Sequence, residues 1–117
     1  MDFKPLYDYI LNLDNSIRFV GFIDDIGRLV YGGMKPGVLS LEGKIDSINL
    51  YMEYALINKI HSDFDSTLGK IIYSLTIREK ITILTFPLEQ HVLRISLERQ
   101  SDHDKIINSI LDYLKKE

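Results

Sequence analysis

Ile17-Arg18-Phe19-Val20-Gly21-Phe22-Ile23-Asp24-Asp25-Ile26-Gly27-Arg28-Leu29-Val30-Tyr31-Gly32-Gly33 reads as two β-strands joined by a tight polar turn. The run from Ile17 to Ile23 is rich in β-branched and aromatic side chains, which suit a pleated, partly buried surface. Ile17, Phe19 and Ile23 fall on one face and Val20 and Phe22 on the other, so the alternation predicts a central strand covered on both sides. Asp24-Asp25-Ile26-Gly27 fits a turn that opens on an Asp able to accept a local backbone hydrogen bond and closes on a Gly. Leu29 to Tyr31 returns as a short second strand. Gly32-Gly33 and then Pro36-Gly37 are expected to end it.

Working outward, Phe3, Leu6, Tyr7, Ile10 and Leu11 recur at helical spacing and predict a helix over 3–13, with Pro5 tolerated in its first turn. Asp14-Asn15-Ser16 links it to the hairpin. Beyond the hairpin, 34–43 reads as a loop in which Ser40 is placed to cap the next helix. Residues 44–60 then carry Ile45, Ile48, Met52, Ala55, Leu56 and Ile60 at helical intervals. Leu50, Tyr51, Tyr54 and Ile57 add apolar surface off that line. The stripe is therefore wider than one sheet face needs. Tyr51 and Tyr54 either edge it with their hydroxyls in water or belong to a second interface.

Residues 61–67 form a polar break. Ile71, Tyr73, Leu75 and Ile77 alternate with polar residues, as do Leu93, Ile95 and Leu97. Ile81, Ile83, Leu84 and Phe86 form a strand between them that is expected to stop at Pro87. Short turns at 78–80 and 88–90 make this an antiparallel meander. Ser101, with Asp104 three places on, approximates a capping box ahead of a last helix with the stripe Ile106, Ile107, Ile110, Leu111 and Leu114. The sum is an α+β chain in the order helix, two strands, helix, three strands, helix, with one five-stranded antiparallel sheet and a single domain over 1–117.

Candidate chemistry is thin. Adjacent strand residues point opposite ways, so Asp24 and Asp25 read as turn chemistry rather than a catalytic pair. His61, Asp63 and Asp65 lack the glycine and terminal Glu of a calcium loop and fit no zinc helix. His103 sits between two aspartates, but helical neighbours do not face each other. There is no Gly-x-Ser-x-Gly elbow and no phosphate-binding Gly-Lys-Ser/Thr loop. With no cysteine, disulfides, thiol nucleophiles and cysteine metal sites are excluded. A net charge of -3 and the absence of basic runs argue against nucleic acid. No stretch approaches the ~18 apolar residues of a membrane span. Met1-Asp2-Phe3-Lys4 lacks the basic start and apolar run of a signal peptide, so a cytoplasmic setting is expected. The reading contains no catalytic residue, no metal and no cofactor.

The order of elements resembles the Roadblock (dynein light chain) fold. Arg18-Phe19-Val20-Gly21 with Asp-x-x-Gly and Gly32-Gly33 is similar to the first hairpin of small uncharacterised archaeal proteins of Roadblock-like type. Phe86-Pro87-Leu88 and Asp102-His103-Asp104-Lys105-Ile106-Ile107 are similar to the same group. The resemblance implies homodimers or heterodimers in which the central helix packs on its partner and the sheets join. On this chain that places Leu50, Tyr51, Tyr54 and Ile57 at a dimer interface. It also implies a non-catalytic scaffold, often for small Ras-like GTPases, with no contact motif to carry over. The alternative reading is a small-molecule sensor of the PAS or GAF kind, whose mark would be a pocket between sheet and helices with convergent polar groups.

Overall fold

Alternation along β1 (Ile17–Asp24) and β5 (His91–Glu98) decides how the layers stack, because these two strands pair with each other at the middle of the molecule. The computed structural model describes residues 2–41 and 44–116, with backbone alone at 44–47. The remaining elements are α1 (Lys4–Leu11), β2 (Leu29–Met34), α2 (Lys44–Ser62), α3 (Asp65–Leu68), β3 (Ser74–Ile77), β4 (Ile81–Leu88) and α4 (His103–Lys115). The five strands lie in the order β2-β1-β5-β4-β3, every neighbouring pair antiparallel. The hairpin and the meander are joined by α2, which carries the chain from one sheet edge to the other.

Val20 pairs with Ile95, Ile95 with Leu84, Phe22 with Leu93 and Leu93 with Phe86, so these side chains form rows on one face. Leu6 and Ile10 of α1 and Ile106, Ile107 and Ile110 of α4 close over them. Each such burial is worth ~1.5–3 kcal/mol before the cost of ordering. Phe3 extends the cluster, its ring stacked 4.4 Å from Phe22. The other face of β1 and β5 holds Phe19, Gly21, Ile23, Val92, Arg94 and Ser96, and α2 lies across it, with Tyr51 on Phe19 and Tyr54 on Arg94.

Several local expectations are corrected. Ile17 joins Val20 and Phe22 in the α1/α4 core rather than Phe19, because the β1–β5 register shifts between Ile17 and Phe19. Gly32 and Gly33 do not end β2 but lie inside it. Gly32 has φ +91°, and a Cβ there would run into the carbonyl of Val20. β4 passes through Pro87, which pairs with Val92. β3 reaches only as far as Thr85, so beyond it one flank of β4 has no strand for a missing N–H to disrupt. β3 shows no buried face at all, since all four of its residues are exposed. The polar break contains the short helix α3. Asp102, not Ser101, caps α4, its carboxylate accepting from the Lys105 N–H at 3.2 Å. Residues 42 and 43, between Ser40 and the start of α2, lie outside the described residues, and so does the cap expected there from Ser40.

The hairpin turn is held as its residues suggested. Asp24 Oδ1 accepts from the Ile26 and Arg28 N–H groups at 3.1 and 2.8 Å, and Oδ2 from Arg28 Nε at 2.7 Å. Burial pushes the Asp24 carboxyl up, but the hydrogen bonds from Arg28 and Ile26 and the Arg28 charge together hold it below the ordinary value.

Candidate protein interface

α2 is helical with apolar side chains on nearly every side. Among its described side chains Ala55 alone is buried. Tyr51 and Tyr54 are half-buried on the sheet side, as is Leu50. Ile48, Met52, Leu56 and Ile60, spaced four apart on one row, are each more than half exposed. This reverses the sequence expectation for those four. These four side chains of the stripe look out, while Leu50, Tyr51 and Tyr54, which lie off it, turn toward the sheet and Ile57 stays exposed. Ile45 lies where side chains are not described.

The inversion follows from the floor beneath the helix. Gly21 has no side chain, and the Phe19 ring folds over it, so closely that an added Cβ would fall 2.5 Å from the ring. Arg94 stands directly opposite Gly21 in the register and is 1% exposed. Its guanidinium lies 4.9 Å from the Phe19 ring and 5.5 Å from the Tyr54 ring. A cation on an aromatic face is favoured most where water is excluded. The floor therefore asks for aromatic and small side chains above it, and Tyr51, Tyr54 and Ala55 supply them. Arg94 and Ser96 read as the solvent face of β5 in the sequence; the signal that places them inside is β5's central position, with α2 covering that face.

Between α2 and the β3–β4 rim runs a groove of about 1090 Å³, open to solvent. Leu50, Tyr54 and Ile57 line it from the helix; Thr76, Ile77, Ile83 and Arg94 line it from the sheet, with Arg78 and Lys80 at its end. The structure thus brings three of the four proposed interface residues to one groove. It sets the fourth, Tyr51, on Phe19 with ring centroids 5.9 Å apart. On the other flank of α2, Met52 abuts Gly27 of the hairpin turn, near the exposed Ile26 and Leu29.

The two edges of the sheet differ. β2 carries a register shift where it faces Phe22 and Ile23, leaving Val30 unpaired there, and two positive-φ glycines follow. Such irregularity spoils an edge as a template for another strand. β3 pairs with β4 in unbroken register and presents its outer flank free of such devices.

The polar candidates do not assemble. Asp24 is buried in its turn while Asp25 is exposed. His91 meets the Phe3 ring edge-on at 5.0 Å. His103 Nδ1 lies 3.2 Å from the Asp104 carboxylate, closer than helical neighbours were expected to come. Among the described residues no three His, Asp or Glu gather as a metal site, and no helix is long and apolar enough to cross a membrane.

Four helices with a five-stranded antiparallel sheet in this order define the Roadblock/LC7 fold. The chain belongs to the family of unknown function DUF6659, whose model matches residues 8–117. Among solved structures it is similar to the gliding protein MglB from Thermus thermophilus, at 11% identity and a TM-score of 0.73, covering 97% of this chain and 85% of that one. It is similar also to a Roadblock/LC7 domain from Streptomyces avermitilis, at 6% identity and a TM-score of 0.64, covering 99% and 97%. A further neighbour, MglB with a tetrameric arrangement, is 12% identical with a TM-score of 0.72, covering 97% and 85%. No curated protein matches the sequence.

Proposed function

We propose that this chain is a non-catalytic cytoplasmic scaffold that works as a homodimer and holds or regulates another protein, a small Ras-like GTPase being the partner class that the Roadblock resemblance implies. The observation that carries the reading is the contrast between the two sheet edges. One is closed to strand addition and the other is open, and the open one runs beside an unfilled groove lined by both apolar and charged side chains. Two β3 edges paired antiparallel about a two-fold axis normal to the sheet would join the sheets into one. The same rotation sets both α2 helices on one face, antiparallel, each beside the other's groove. Leu50, Tyr54 and Ile57 then lie at the contact, and Tyr51 supports it from beneath. The likeness of the whole chain to small archaeal Roadblock-type proteins belongs to the same reading.

The test is the solution mass by light scattering over a range of concentrations, on the native chain and on Ile57→Glu. A native dimer and a monomeric Ile57→Glu variant with unchanged circular dichroism are expected. A native chain that is monomeric throughout would sink the proposal. A dimer then serves as bait, and retention of a GTP-loaded Ras-like protein over the GDP-loaded form is the expected result.

A further inference from the structure

We infer that a second copy meets β3 in a single register, with the two-fold axis passing through Leu75. The inference rests on the dimer reading and deepens it by fixing how the second copy sits.

The outer edge of β3 has a definite pattern of donors and acceptors. The Arg78 N–H donates to the Ile81 carbonyl at 2.9 Å, so the backbone of Arg78 faces β4. Backbone groups alternate sides along a strand, so those of Ser74 and Thr76 also face β4 while those of Leu75 and Ile77 face outward. Tyr73, one residue ahead of the strand, continues the outward set. The side chains of that set share one face. Leu75 lies opposite Leu84, and the Tyr73 ring is 6.1 Å from that of Phe86, both residues of the α1/α4 core. Ile77 ends the row beside the turn, where it also borders the groove. Tyr73, Leu75 and Ile77 are 40, 37 and 49% exposed, an apolar row at the edge where β3 has no neighbour.

A two-fold axis normal to the sheet keeps the same face of both copies on the same side. Residues directly opposite each other share a face, so outward residues pair only with outward residues. The axis therefore passes through a residue and not between two. Placed on Leu75, it sets Leu75 against itself, Tyr73 against Ile77 and Ser74 against Thr76. An aromatic beside a β-branched residue and two hydroxyls side by side are pairs that stabilise an antiparallel ladder. Every outward residue then finds a backbone partner. Placed on Thr76, the axis sets Ser74 against Arg78 and Tyr73 against Glu79 of the turn. Placed on Ile77, it sets Leu75 against Glu79. Placed on Ser74, it sets Lys70 against Arg78, like charges directly opposite. Because each α2 is carried by its own sheet, the choice of Leu75 also fixes the offset between the two α2 helices.

The chain has no cysteine, so single introduced cysteines report the register. With the axis on Leu75 its two Cα atoms lie about 5.5 Å apart, within reach of a disulfide. The rise along the strands puts the two Thr76 Cα atoms about 8 Å apart and the two Ile77 Cα atoms about 14 Å apart, too far to bridge. On mild oxidation Leu75→Cys is expected to form covalent dimer at least about tenfold faster than Thr76→Cys or Ile77→Cys. An equimolar mixture of Tyr73→Cys and Ile77→Cys is expected to yield the mixed dimer, identified by its mass. Light scattering gives the mass of the native chain and of each reduced variant. Faster cross-linking of Thr76→Cys overturns the register. A chain that is dimeric by light scattering and cross-links at none of these positions overturns it too, and leaves the dimer standing through another surface. A native chain that is monomeric at every concentration overturns both.

Discussion

Asp24 shows how much one side chain decides in this hairpin. Its carboxylate satisfies two backbone donors and one guanidinium, and those bonds outweigh the burial that opposes its charge. Its pKa is lower folded than unfolded, so the stabilisation is complete above the unfolded value of about 4 and fades as pH falls through the lower folded value. Asp24→Asn should cost about 1–2 kcal/mol at neutral pH. Urea unfolding should show that difference shrinking below pH about 4. Glu89 poses the opposite case. It is the non-glycine residue with positive φ among those described, at 47°, in the turn between β4 and β5. A Cβ is disfavoured there, so Glu89→Gly should raise the unfolding free energy by about 1 kcal/mol. A lowered or unchanged midpoint would mean that the Glu side chain compensates through contacts of its own.

At the scale of elements, the strands announced themselves and the central helix misled. The hairpin and meander were legible because alternation has only two phases, and side chains such as Val20, Phe22, Leu93 and Ile95 are apolar enough to fix them. Where a register shift intervened, as at Ile17, the phase was lost. Leu75 and Ile77 alternate as a half-buried strand would, yet β3 is the outermost strand and both are substantially exposed. That pattern makes sense for a strand awaiting a neighbour. In α2 the most apolar row looks outward, because a floor of Gly21, Arg94 and Ser96 favours tyrosine and alanine over it. No rule of periodicity sees a floor made by distant strands. α4, with its apolar floor, obeys the simple rule. Ile110→Ala should cost about 2–5 kcal/mol by denaturant titration, as expected of a void under a fully buried side chain.

The molecule as a whole is asymmetric across its sheet. The α1/α4 side is a closed core, and the α2 side has a groove and an apolar helix flank that the chain itself does not cover. If a second copy covers them, stability becomes a function of concentration. The midpoint of thermal unfolding should then climb with each tenfold increase in protein, and that climb should vanish in Ile57→Glu. A flat midpoint for the native chain would count against the dimer.

The strand order has a consequence for how the protein is made. β1 leaves the ribosome well before its inner neighbour β5, so the hairpin is finished long before the strand that completes its pairing exists. Until His91–Glu98 has emerged, Phe19, Val20, Phe22 and Ile23 have no floor to share. Pairings so far apart in sequence are also slow to form. A nascent chain thus carries an unfinished sheet from the emergence of β1 until β5 follows, and that stretch of synthesis is the window in which chaperones would be needed.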